Sequence, residues 1–84
     1  MMLPTIHSNG TSPKSLLEDY MKASASLRQA LHDLEEAGPN GRDYYPQGPG
    51  AFTVAQEEHE NRLERLESVR RELVQLMDHV ADFT

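Results

Sequence analysis

The sequence predicts an all-α protein: an antiparallel helical hairpin with a short extended N-terminal segment, assembling into a helical-bundle homo-oligomer. Two long segments carry apolar residues at helical spacing, and a segment rich in glycine and proline separates them. The chain has 84 residues, and we expect them to form a single helical domain over 1–84. A hairpin of this size buries little of its own surface, so we expect self-association to stabilise it.

Residues 1–11 are predicted to form an extended arm. Pro4 disfavours helical backbone in the residue before it, and Asn9 followed by Gly10 is typical of a turn. We expect the apolar side chains of the arm to lie against the far end of the second helix, because that helix is the longer of the two.

The first helix is predicted over 12–37. Ser12 is a good N-cap, and Pro13 suits the first helical position. Gly38 is expected to adopt a left-handed conformation that ends the helix before Pro39. The apolar seam comprises Leu17, Tyr20, Ser24, Leu27, Leu31 and Leu34. A second stripe, at steps of seven, comprises Leu16, Ala23, Ala30 and Ala37. Two stripes need more than one partner helix, which indicates a bundle larger than one hairpin.

Residues 38–50 hold four of the five glycines and three of the five prolines, so this segment is predicted to be a shaped loop. The second helix is predicted over 51–83. Its seam comprises Phe52, Ala55, His59, Arg62, Leu66, Val69, Leu73, Leu76, Val80 and Phe83, widened by Leu63 and Met77. The spacing of the two seams is compatible with two helices that pack on each other within one chain and with helices that are exchanged between two chains.

Composition excludes several classes of function. Eight basic residues against 14 acidic ones give a net charge of −6, which argues against binding of long nucleic acid or an anionic membrane. There is no cysteine, hence no disulfide. No apolar run reaches the length of a membrane span, and the start does not resemble a secretory signal. We therefore expect a cytoplasmic protein.

The loop is the first candidate site, through Arg42, Asp43, Tyr44 and Tyr45. Two tyrosines offer flat faces on which a base can stack, and a guanidinium matches a phosphate or carboxylate. In the alternative interpretation the tyrosines cap the open end of the bundle and Arg42 pairs with Asp43.

The second candidate is the pair His59 and Arg62, because both occupy seam positions where an apolar residue is expected. This polar pair indicates one of three things: a binding site, a contact that fixes the register of the two helices, or a seam that opens at this point to admit the loop.

The third candidate is the turn before the first helix, with Asn9 and Thr11. Small polar groups ahead of a helix N-terminus are suited to an anion, although a cap with a turn is the better explanation of them. The turn and the loop lie at opposite ends of one hairpin, so they can meet only across a subunit boundary.

The sequence gives no indication of catalysis, a cofactor or a metal. His32 and Glu36 have i, i+4 spacing, and His59 has glutamates around it, but no Glu-x-x-His pair recurs on two helices. No nucleophile has a nearby base. We expect that the protein is not an enzyme.

The start IHSNGTS (6–12) and the loop NGRDYYPQGP (40–49) resemble a family of short helical proteins encoded by tailed phages and prophages. The resemblance spans nearly the whole chain, and it implies a place in the bacterial host cytoplasm but no particular activity. Helical nucleotide sponges, which are phage anti-defence proteins, offer an analogy of size and composition without a shared motif.

Three functions are compatible with these features. The first is sequestration of a small nucleotide-like anion of host defence, without catalysis, by a homo-oligomer. The second is inhibition of a host protein through a helical face or the tyrosine loop. The third is a minor role in the virion or its assembly.

Overall fold

Two antiparallel helices make up most of the chain in the computed structural model, which describes all 84 residues. Helix α1 spans Pro13–Glu36 and helix α2 spans Ala51–Ala81. The connecting segment contains two single 3-10 turns, Gly41–Asp43 and Tyr45–Gln47. No strand is present, so the predicted all-α hairpin is confirmed. Neither helix has a stretch that is both long and apolar enough to cross a bilayer.

The start of α1 follows the predicted capping chemistry. The Ser12 Oγ accepts a hydrogen bond from the Ser15 N–H at 3.1 Å, and Pro13 takes the first helical position. Just before it, the Gly10 N–H donates to the His7 carbonyl at 3.1 Å, which closes the predicted turn. The capped start therefore fixes where the arm ends and the helix begins.

The end of α1 differs from the prediction. Positive φ occurs at Gly48 (102°) and Gly50 (86°) but not at Gly38, so the predicted left-handed Gly38 is wrong. Instead Ala37, with φ of −85°, donates its N–H to two carbonyls of the preceding turn. This tightened turn satisfies the helix end without a left-handed residue, and Pro39 then prevents continuation.

The contact between the helices is thin. All six predicted seam residues of α1 are buried or half-buried, which confirms that seam: Leu17, Tyr20, Ser24, Leu27, Leu31 and Leu34. Yet only three residues in the whole chain are buried, Ser24, Leu31 and Val80, and only Val80 is completely buried. The molecule is consequently a rod of 61 × 21 × 17 Å with very little interior.

The seam of α2 follows the predicted one except at three positions. Arg62, Val69 and Phe83 are exposed. The predicted Leu63 is half-buried, and so is Arg70, which was not predicted. Arg70 can occupy the seam because its guanidinium binds the Glu67 carboxylate through two nitrogens, at 2.7 and 3.1 Å, and its aliphatic stem covers apolar surface. This hydrogen bond lowers the pKa of Glu67 and raises the pKa of Arg70.

The N-terminal arm contacts the end of α2 through Pro4. The His79 Nε2 lies 2.8 Å from the Pro4 carbonyl oxygen, and the ring nitrogen must donate because a carbonyl only accepts. The same imidazole packs edge-on against Phe83, with ring centroids 5.6 Å apart. Val80, between them in sequence, is fully buried, so this end of the hairpin is closed.

Candidate functional site

A cavity of about 390 Å³ opens where the connecting segment meets the two helices. We call it the loop-end cavity. Its polar side chains are Tyr44, Gln47, Glu58, His59 and Arg62, and small apolar residues from the end of α1 and the first turn of α2 complete the wall. Three of the eight predicted site residues therefore share one cavity.

Tyr44 is held in the cavity wall by local structure. The Asn40 Oδ1 accepts a hydrogen bond from the Arg42 N–H at 3.0 Å, which starts the first 3-10 turn. The Tyr44 N–H then closes that turn on the Gly41 carbonyl at 3.1 Å. The Tyr44 ring stacks on Phe52 with centroids 6.4 Å apart and planes 19° from parallel. This stacking fixes the tyrosine near the start of α2.

The start of α2 has no side-chain cap. Gly50 occupies the N-cap in a left-handed conformation, and no side chain accepts a hydrogen bond there. Ala51, Val54 and Ala55 of the first turns line the cavity. Because a helix N-terminus carries partial positive charge and free N–H groups, the cavity lies beside a surface that favours an anion.

His59 lies in the seam, as predicted, and lines the cavity floor. Its Nε2 is buried and has no hydrogen-bond partner. The nearest loop residue on that side is Gly38, where an added Cβ would stand 3.5 Å from this nitrogen. A buried polar atom without a partner costs about 1–3 kcal/mol, so the loop end carries a destabilising feature.

Arg62 lies at the rim and not in the seam. Its guanidinium is 3.6 Å from the Glu58 carboxylate, and the two side chains are 49% and 60% exposed. An ion pair this exposed is weak, so a competing anion can take the guanidinium at little cost. Within the cavity one cation and one anion offset each other, which leaves no strong field of either sign.

The remaining loop residues of the predicted site are not in this cavity. Arg42 and Asp43 are exposed on the first 3-10 turn. Tyr45 is 75% exposed and lines a separate open pocket of about 460 Å³. Arg42 and Tyr45 thus do not share the cavity that Tyr44 lines. Successive residues in a 3-10 turn point about 120° apart, which separates Tyr44 from its neighbour.

Asn9 and Thr11 are exposed at the other end of the hairpin. Helix α1, with 24 residues, separates them from the cavity by about 36 Å. Within one chain they cannot contribute to the loop-end cavity.

Two polar cavity residues, Glu58 and Gln47, lay outside the predicted set. Glu58 had a usable signal, since its i, i+4 spacing to Arg62 is that of a helical ion pair. Gln47 had none, because its position depends on the second 3-10 turn.

The one group of side chains with metal-ligand chemistry is on the outside of α1. His32, Asp33 and Glu36 each offer an atom within 4.8 Å of the others, and all three are exposed. His32 Nε2 is 3.2 Å from the Glu36 carboxylate, and Gln29 donates to Asp33 at 3.0 Å. These groups pair among themselves at the surface, and no buried neighbour orients them toward an ion.

No protein-family model matches the chain, and no curated protein or solved structure is significantly similar to it. A functional proposal therefore depends on the chemistry of the loop-end cavity.

Proposed function

We propose that this protein is a non-catalytic binding protein that captures a small nucleotide-like anion in the loop-end cavity. The observation that carries the proposal is the position of Tyr44 and Arg62 around one cavity at the uncapped start of α2. An aromatic face, a guanidinium and a helix N-terminus are the groups that proteins use for a base and its phosphate.

The electrostatics favour a ligand of modest charge. Glu58 is part of the cavity wall, so a ligand with many negative charges would meet repulsion. A phosphate diester or monoester can replace Glu58 at the Arg62 guanidinium while its base stacks on the tyrosine. The volume of about 390 Å³ is in the range of small-ligand sites.

The resemblance to phage-encoded proteins adds a biological setting to this proposal. A phage accessory protein of the sponge type acts in the host cytoplasm by lowering the free concentration of a defence signal. Such a role requires affinity for the signal and no turnover of it.

The test is native mass spectrometry and calorimetry of the full chain with AMP, cyclic di-AMP and ADP-ribose as probes. We expect at least one probe to bind, and Arg62→Ala to weaken that binding at least about tenfold through loss of a charge-assisted hydrogen bond. Arg42→Ala is the matched control, because this arginine is exposed on the same loop but outside the cavity. Loss of binding in Arg42→Ala, with binding retained in Arg62→Ala, would place the ligand outside the loop-end cavity and contradict the proposal.

A second candidate function is docking on a host protein. It is favoured by large apolar side chains exposed at the arm end, with Met2 at 91%, Met1 at 61% and Phe83 at 53%. Such side chains are typical of protein contacts when they form a patch. Failure of every nucleotide probe to bind the wild-type chain would make this second candidate the better one.

A further inference from the structure

One chain has a larger accessible surface than a typical compact protein of the same mass. The radius of gyration is 18.5 Å, whereas a compact domain of this length has about 12 Å. The accessible area is 6184 Å², about 1,100 Å² above that of a typical monomer. A standard interface removes about 800 Å² from each partner, so the excess is the size that one stable interface would bury.

Two faces flank the contact between the helices, and they differ in chemistry. One, the alanine face, carries Leu16, Ala23, Ala30 and Ala37 of α1 with Arg62, Val69 and Leu76 of α2 on the same side by helical periodicity. The other, the acidic face, carries Glu35, Glu60, Glu64 and Glu67 around Leu31 and Leu63. Arg71 and Arg70 pair with Glu64 and Glu67, which leaves Glu35 and Glu60 without an ion-pair partner. Two copies that met through their acidic faces would bring these two unpaired carboxylates close to their counterparts, and like charges repel.

We propose that a second copy of this chain packs on the alanine face, in an antiparallel and isologous arrangement, and completes the loop-end cavity. Ala23 and Ala30 are exposed in the single chain, and Val69 is 45% exposed. Small side chains let helix backbones approach closely, while the valine supplies apolar area for burial.

The antiparallel arrangement follows from the even spacing of the α1 residues on the alanine face. A two-fold axis midway between Ala23 and Ala30 sets Leu16 of the second copy at the level of Ala37, which lines the cavity. The second copy's capping residue Ser12 is then about 6 Å beyond, four residues along the helix. The start of α1 in one subunit thus lies beside the loop-end cavity of the other.

The second copy supplies positive charge that the loop-end cavity of one chain lacks. Arg62 and Glu58 offset each other there, whereas the first turn of α1 has no acidic residue and carries Lys14. Its partial positive charge is therefore not neutralised locally. The ligand class that fits is an anion held between two helix N-termini, with Asn9 and Thr11 of the second copy within reach. This ligand assignment depends on the proposed function, but the pairing of the chains does not.

The first test is the mass of the ligand-free chain in solution, by light scattering and native mass spectrometry. We expect a dimer or an even multiple. Ala30→Glu should weaken association at least about 100-fold, because it buries a carboxylate without a partner. Ala25→Glu is the control, since this exposed position points away from both α2 and the alanine face. A monomeric wild type, an odd-numbered assembly, or Ala30→Glu of unchanged mass would overturn the proposal.

The second test reports the direction of the pairing. The chain has no cysteine, so introduced thiols are the only ones present. A mixture of ¹⁵N-labelled Ala23→Cys chains and unlabelled Ala30→Cys chains, after oxidation, should form mixed disulfides of intermediate mass. Homodisulfides of each variant alone would show a parallel pairing and overturn the antiparallel arrangement. Neither test contains a nucleotide, so a failure of ligand binding leaves both results interpretable.

Discussion

The two ends of the hairpin each contain a half-buried histidine, but the two histidines are in opposite states. At the arm end, the His79 Nε2 donates to the Pro4 carbonyl at 2.8 Å. At the loop end, the His59 Nε2 is buried without a partner. The arm end also holds Val80, which is fully buried, whereas the loop end holds a cavity of about 390 Å³.

This contrast indicates where the proposed binding site would lie. Where the arm covers α2, the polar atom is satisfied and the space is filled, as expected of residues that stabilise the fold. Where the loop meets the helices, space remains open and a polar atom is unsatisfied. Proteins retain such features mainly at functional sites, so the loop end is where binding is expected.

The largest effect on stability is expected from Val80→Ala at the arm end. Removal of two buried methyl groups should lower the free energy of unfolding by about 2 kcal/mol. The matched control is Val54→Ala at the loop end, where the side chain is 52% exposed and the loss should stay under about 0.5 kcal/mol. Thermal unfolding followed by circular dichroism, at one protein concentration, measures both. Equal losses in the two variants would contradict the contrast between the ends.

A smaller effect, with opposite signs at the two ends, is expected on replacing the histidines. His79→Leu removes the partner of the Pro4 carbonyl and should lower stability by about 1 kcal/mol. His59→Leu removes an unsatisfied buried nitrogen and should raise stability by a similar amount. Urea unfolding at neutral pH gives both values. Destabilisation by His59→Leu would mean that this ring makes a contact that stabilises the chain.

The smallest effect is expected midway along the hairpin, at Glu67. Its hydrogen bond with Arg70 lowers the pKa of this carboxyl in the folded chain. The stabilisation is therefore present above the unfolded pKa of about 4.3 and is lost as the pH falls through the lower folded value. Glu67→Gln should be slightly less stable than the wild type at pH 7, and the difference should vanish in acid. A difference that is independent of pH would exclude the ion pair as its cause.

The helices and the α1 seam could be predicted because they depend on local spacing and capping. Most of the α2 seam could be predicted for the same reason, but the burial of Arg70 could not, since hydrophobicity favoured Val69. The structure buries the arginine stem because a glutamate one turn earlier binds its guanidinium. An ion pair within the helix can therefore place a charged residue in the seam where the apolar pattern predicts a hydrophobic one.

The site was only partly predictable for a similar reason. Tyr44, His59 and Arg62 were predicted and lie around one cavity. Arg42 and Tyr45 were grouped with them by adjacency in sequence, yet two consecutive 3-10 turns point them elsewhere. The direction of each loop side chain depends on turn geometry, which composition alone does not reveal.

The rod shape described above has a hydrodynamic consequence. With a radius of gyration of 18.5 Å, a single chain matches a compact protein of about 270 residues. A monomer would therefore leave a gel-filtration column somewhat earlier than a compact protein of the same mass. It would also tumble faster about its long axis than end over end, so NMR relaxation rates would differ between N–H vectors along the helices and those across them. Elution volume alone thus reports the elongation of this molecule, and only a direct mass measurement counts its subunits.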